Sequence, residues 1–237
     1  MQLRDLTAKI LGRRADSRSP LRIVQSGHPA LRMASRDWDG QLEPELLDEL
    51  VAAMVITMHE APGVGVAAPQ VGIPLRLAVL QDGDPDAQED ATGDASEHDA
   101  EEDPLERTPL PLRVFLNPVY TPIGEEQVLF WEGCLSIDGW MSIVPRSRQV
   151  RLDALEWSPG GGLQEVHEEF TGWPARIVQH ETDHLAGTLC HDLGVPRSFI
   201  ETGYTDHYAD LTEAVRVLGL DGDVTRLGPG QVRLRRD

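Results

Sequence analysis

The stretch His180-Glu181-Thr182-Asp183-His184 has the residue types and spacing for metal chemistry. It reads H-E-x-x-H. On a helix, residues four apart share a face, so both imidazoles can reach one ion, at about 2.0–2.1 Å if the metal is zinc. Glu181, beside the first imidazole, can serve as general base toward a water on that ion. The alternative is a chance occurrence on a surface helix, which five letters alone do not exclude. The flanking residues supply a helix. Thr171 suits the N-cap, Pro174 the first turn and Gly187 the C-cap. Trp173 and Ile177 extend the metal-bearing face toward the core.

Two other stretches carry unusual chemistry. Gly63 to Gln70 is a run of small residues that matches the G-x-G-x-x-A nucleotide fingerprint in letters. That fingerprint must follow a strand and open a helix. Here it follows a helical pattern and leads into the apolar run Leu75 to Leu80, so the better reading is a loop whose backbone approaches something closely. Gln70 at its end is an uncharged donor that could face a developing oxyanion. The second stretch is Glu132-Gly133-Cys134-Leu135-Ser136. A lone cysteine is usually a small buried hydrophobe, but a turn beside Gly133 could expose the Cys134 sulfur.

The elements that must hold these stretches can be read in order. Leu21 to Val24 looks like a short strand. Pro44 to Glu60 is a helix, with Leu47, Leu50, Val51, Met54, Val55 and Met58 at helical spacing. Met54 and Met58 read as core filling and His59 as a surface residue. Leu75 to Leu80, Leu112 to Leu116 (closed by Asn117-Pro118), Gln127 to Trp131, Gln149 to Glu156 and Leu163 to Phe170 read as strands. His167 reads as a strand surface residue. Strands outnumber helices, which favours an α+β fold.

Composition narrows the function classes. The chain has 237 residues and a formal charge of −19. An acidic surface argues against sequence-specific or charge-driven nucleic-acid binding. Two cysteines, Cys134 and Cys190, do not make a disulfide scaffold and suit a reducing, cytoplasmic setting. No apolar run is long enough to span a membrane. Residues 1–20 read as a flexible, at most weakly helical leader, with Asp5 and Asp16 counting against a transit peptide. Residues 21–196, which hold the stretches above, read as one catalytic domain. An acidic insertion near residues 82–109, with eleven acidic residues and no Lys or Arg between Asp82 and Asp103, reads as disordered. Residues 197–237 read as a partly helical extension. Its basic end, Arg233, Arg235 and Arg236, reads as a solvated terminus, with a transient ribosome contact as the alternative.

Taken together, Gly63 to Gln70, Glu132 to Ser136 and Gln179 to Leu185 resemble the three motifs of peptide deformylase, G-x-G-x-A-A-x-Q, E-G-C-L-S and Q-H-E-x-D-H-L. Gly27 to Arg32 is similar to the family's G-D-P-x-L-R segment, with His28 where aspartate is usual. The resemblance spans about Leu21 to Leu193 and implies mixed antiparallel sheets around a central helix carrying H-E-x-x-H. It implies one divalent metal held by Cys134, His180 and His184, with water as fourth ligand. Ferrous iron is the family's physiological metal, and zinc, nickel or cobalt are accepted. The implied reaction removes the formyl group from formyl-methionine at the start of nascent peptides, with Glu181 as base and Gln70 and the Leu135 N–H holding the oxyanion. Val64, Gly65, Trp173 and Ile177 would bind the substrate, Gly65 through its backbone.

Asp138, where proline is frequent, and Cys190-His191, where an aromatic or aliphatic residue is usual, depart from the family pattern. Two rival readings follow from residues after the helix. A zinc peptidase would take a third ligand from His191 or Asp192. A metal-stabilised binding module would close the site with Cys190 as fourth ligand.

Overall fold

The computed structural model describes residues 2–83, 105–160, 162–208 and 210–219. Two antiparallel sheets flank one buried helix. The larger sheet has the order β1-β2-β3-β6-β7, from β1 (Gly65–Ala67), β2 (Leu77–Asp82), β3 (Leu110–Pro122), β6 (Gln149–Ser158) and β7 (Gly162–Thr171). The smaller has the order β4-β5-β8, from β4 (Gln127–Gly133), β5 (Trp140–Ser147) and β8 (Ile200–Glu201). Helix α3 (Gly172–Leu185) leaves β7 directly and packs on β1, β2, β3, β5, β6 and β7. This is the α+β arrangement that the strand-rich pattern implies.

Helix α2 (Pro44–Glu60) forms over the expected residues. Pro44 occupies its first turn, and Leu47, Leu50, Val51, Met54 and Met58 are buried against Val66, Leu75, Leu77 and Leu116. Proline is tolerated there because the first N–H groups of a helix have no partner within it. A second core gathers Ala67, Leu80, Phe115, Leu152, Phe170, Ile177 and Val178 under α3.

Helix α3 is unusual in burying polar residues along much of its length, including Arg176, Gln179, Glu181 and His184. Such groups must be satisfied internally. Gln179 shows how. Its amide donates to the Ser147 and Ala175 carbonyls at 2.9 and 3.0 Å and accepts from the Ser147 N–H at 3.0 Å, fastening α3 to the end of β5.

Several boundaries differ from the sequence reading. Leu21 to Val24 forms no strand; it is held by single bonds from the Leu21 N–H to Thr57 Oγ1 and the Val24 N–H to the Gln70 carbonyl. Asn117-Pro118 does not end β3. Asn117 takes a φ of 52° at an irregularity between Leu116 and Val119, and the strand runs on to Pro122. The Asn117 side chain exchanges bonds with the Trp38 backbone at 2.7 and 2.8 Å, which holds that kink. Strands β1 and β5 escaped the reading, β1 because small residues carry little strand signal and β5 because Pro145 and Arg146 break its apolar pattern.

The leader is not frayed. Helix α1 (Leu3–Leu11) buries Leu3, Thr7 and Leu11, and both leucines join the core around α2. The acidic insertion is narrower than its expected bounds. Asp82 belongs to β2, Leu105 is buried, and Glu106 pairs with Arg148 at 2.6 Å. Residues 84–104, where most of the insertion lies, are outside the described residues, as is the basic end at Arg233 to Arg236. The described part of the C-terminal extension includes α4 (Leu211–Val217). It packs Leu211, Ala214 and Val215 on Leu129, Trp131 and Ile143 of the smaller sheet. Among the described residues no helix is long and apolar enough to cross a membrane.

Candidate metal centre and active site

The sequence motifs converge. Cys134 follows the last residue of β4 in a tight turn closed by the Ile137 N–H on the Cys134 carbonyl at 2.8 Å. His180 and His184 stand on α3, one turn apart, with ring centroids 5.0 Å from each other. Ligand-capable atoms of Cys134, His180 and His184 all lie within 4.8 Å of one another, and Cys134 Sγ is 3.3 Å from His184 Nε2.

A buried charge network aims these groups. Glu132 accepts from His180 Nδ1 at 2.6 Å, from Arg146 Nη2 at 2.6 Å and Nε at 3.1 Å, and from Arg176 Nη1 at 2.9 Å. Burial opposes its charge, yet Arg146 and then His180 hold its carboxyl well below the usual range. A carboxylate on Nδ1 fixes the tautomer and leaves Nε2 as the ligand atom. Asp183 extends the network along the helix, bonding Arg146 and accepting from the Tyr120 hydroxyl at 3.0 Å. Burial, then Asp183, pushes the Tyr120 hydroxyl up to about 12, so it stays a donor.

The donor set fits a soft divalent cation. The Cys190 thiol hydrogen-bonded to Cys134 and, against the effect of burial, the His180 imidazole bring the Cys134 thiol down to about 6. Burial and then His180 bring His184 down to about 4, which keeps it a neutral imidazole, and its Nδ1 is buried without a hydrogen-bond partner. Against the effect of burial, hydrogen bonds with Cys134 and then Glu132 raise His180 well above the usual imidazole range, so an ion held here would displace a proton from it. Thiolate and neutral imidazole are the protonation states that metal binding requires. The residues offered to the peptidase reading are turned elsewhere. His191 Nδ1 lies 3.0 Å from the Cys190 sulfur, and Asp192 accepts from the Leu189 N–H at 2.8 Å and pairs with Arg32. Cys190 is near the centre, but its sulfur groups with Glu132 and His180 rather than with both imidazoles, and its bond to Cys134, then burial, pushes its thiol up.

Beside the centre is a cavity of about 160 Å³. Val64, Gly65, Gln70, Leu135, Trp173, Ile177, His180 and Glu181 all line it, so the substrate, base and oxyanion residues expected from sequence meet in one place. The small-residue run is needed for that approach. A Cβ on Gly63 would stand 2.8 Å from the Leu135 side chain, and Gly65 faces the Glu181 carboxylate. Glu181 is almost fully buried, its pKa is raised by burial, and its Oε2 has no hydrogen-bond partner. Gln70 accepts from the Ala67 N–H at 2.8 Å through Oε1, which leaves its NH₂ end toward the centre, 3.6 Å from Cys134 Sγ. Gly65 belongs to β1 and Trp131 to Gly133 belong to β4, so the cavity opens between the end strands of the two sheets.

Sequence reasoning gave no role to Glu132, Arg146, Arg176, Asp183 or Tyr120. The available signals were Arg146 inside an apolar strand and Arg176 inside the buried helix, since a charge placed there needs a partner.

Residues 20–197 match the family model described as polypeptide deformylase. The chain is 48% identical over 179 residues to peptide deformylase 3 of Streptomyces avermitilis, covering 76% of this chain and 73% of that one. It is 44% identical over 176 residues to the peptide deformylase of Bifidobacterium adolescentis, covering 74% and 73%. Among solved structures it is similar to a Met-Ala-Ser-bound class I type b peptide deformylase from Acinetobacter baumannii, with 30% identity, a TM-score of 0.59, and 73% and 98% of the two chains covered. The centre built on α3 and the span of these matches lead to one assignment: the chain belongs to the polypeptide deformylase family, enzymes that remove the N-formyl group from nascent formyl-methionine peptides.

Proposed function

We propose that the cavity beside α3 carries out deformylation with Glu181 as general base and Cys134, His180 and His184 as the ligands of one divalent metal ion. The observation that carries this reading is the position of Glu181. It is a buried carboxyl with one oxygen unpartnered, in the same cavity as the ligand-bearing His180 and the donor Gln70. The bound ion would supply Lewis-acid activation of water and charge stabilisation. One thiolate and two imidazoles suit ferrous iron, which we take as the physiological metal, and also zinc, nickel or cobalt.

The remaining steps belong to the chain. Burial raises the Glu181 pKa toward the range in which a carboxylate takes a proton readily. Glu181 takes the proton of the attacking water and returns it to the leaving amine. The Gln70 amide and the Leu135 N–H receive the charge that develops on the formyl oxygen. The peptide adds as a strand against Gly65 at the open edge of β1, and its first side chain enters between Val64, Trp173 and Ile177. The setting we infer is cytoplasmic, with access to nascent chains through a transient ribosome contact.

The test is turnover of formyl-Met-Ala-Ser by anaerobically prepared protein with metal measured on the same sample. Release of formate with one ion per chain supports the reading. Equal cleavage of unformylated peptides supports a general peptidase instead.

A further inference from the structure

We infer that Asp82 and Arg107 are positioning residues for the substrate's first side chain. Together they hold the Trp173 indole in place as a wall of the cavity, and so set which side chain it accepts. This rests on the reading of the cavity as the formyl-methionine site.

Trp173 lines the cavity in the first turn of α3, together with Val64, Met141 and Ile177. Its ring is held from three directions. The indole N–H donates to Asp82 Oδ2 at 2.7 Å. The Arg107 guanidinium lies over the ring, 5.2 Å from a ring centroid, and also over Phe130 at 5.9 Å. Phe130 meets Trp173 edge-on, with centroids 6.2 Å apart and planes at 86°. Neither Asp82 nor Arg107 is among the residues lining the cavity, so neither acts by touching substrate.

Two features make this arrangement more than packing. The β2–β3 register shifts between Leu80 and Asp82, with the extra residue on β3, so Asp82 stands where β2 leaves its regular pairing. Asp82 and Arg107 also approach from opposite ends of the β2–β3 connection, so two separate anchors converge on one ring. An indole has two side-chain torsions and a polar N–H that needs a partner when partly buried. A carboxylate on that N–H and a cation over the face select one rotamer among those open to it. With the ring fixed beside Ile177 and together with Val64 and Met141, the cavity is a slot for a long unbranched side chain. A ring free to swing would admit broader groups.

The experiment uses the metal-loaded full chain and compares formyl-Met-Ala-Ser with formyl-Phe-Ala-Ser. In Asp82→Ala and in Arg107→Ala we expect KM for the Met peptide to rise about fivefold with kcat within about twofold. The Met-to-Phe ratio of kcat/KM should fall at least about fivefold, below the roughly 10- to 200-fold that one apolar contact can discriminate. Asp82→Asn, whose amide oxygen still accepts from the indole, should retain the parental ratio. In a Trp173→Phe background, which lacks the N–H, Asp82→Ala should change the ratio no further. Equal losses for both peptides, or a fall in kcat at unchanged KM, would overturn the proposal, as would a full effect of Asp82→Ala in the Trp173→Phe background. Parental turnover with unaltered selectivity in the alanine variants defeats this proposal alone. No parental turnover of the Met peptide defeats the reading of the cavity and this proposal with it.

Discussion

Gly65 and Glu181 leave no room for a side chain between them: a Cβ on Gly65 would stand 2.4 Å from Glu181 Oε1 and 2.6 Å from its Cγ and Cδ. Strand β1 and helix α3 therefore meet at the proposed base, and the glycine lets the backbone pass. Gly65→Ala must displace either the carboxylate or the strand. We expect kcat/KM for a formyl-Met peptide to fall at least about tenfold, equivalent to about 1.4 kcal/mol of transition-state stabilisation, with metal content unchanged. Parental kinetics in Gly65→Ala would show that the approach has no bearing on catalysis.

Glu132 is the one carboxylate shared by Arg146, Arg176 and His180. Removing it leaves the buried Arg176 with only the Val128 and Val144 carbonyls and Arg146 with Asp183 alone. Glu132→Ala is expected to cost about 3–5 kcal/mol of stability in denaturant unfolding. Metal affinity should fall about 10- to 100-fold, because the partner that orients His180 is gone. The same pairing ties stability to acid. The carboxyl lies well below the ordinary carboxylate range in the folded state, so its contribution is complete above that range and lost as pH falls through the folded value. Unfolding midpoints measured from neutral pH downward should show that loss in the parent and less of it in the variant.

The two cysteines should behave differently. Cys134→Ser replaces a soft thiolate by a neutral hydroxyl and is expected to lose most of the metal. Cys190→Ser should keep it, since Cys134, and not Cys190, groups with both His180 and His184. Metal analysis after dialysis decides. Loss in Cys190→Ser with retention in Cys134→Ser would exchange the two assignments.

Much of the site could be read from short-range pattern because its groups are packed into a few residues of chain. His180 and His184 need only a helix, and α3 forms over Gly172–Leu185 as its flanking residues imply. Gln70, Cys134 and Glu181 come from three motifs that each keep their local geometry. What could not be read is what long-range packing decides. Glu132 lies in a motif, but its role depends on Arg146 from β5 and Arg176 from α3. Helix α1 looks like a polar leader until Leu3 and Leu11 find α2. Strand β5 carries Pro145 and Arg146, and becomes a strand because β4 pairs along its whole length. Asp82 and Arg107 stand 25 residues apart in sequence and meet only at Trp173.

The most direct measurement of the central claim is single-turnover deformylation of formyl-Met-Ala-Ser by Glu181→Gln protein, with bound metal quantified on the same sample. The amide keeps the shape of the carboxyl and leaves Cys134, His180 and His184 untouched, so metal content should equal that of the parent. The chemical step should slow by about 10²–10⁴-fold, the usual loss when a general base is removed. Near-parental turnover with the metal in place would contradict the account.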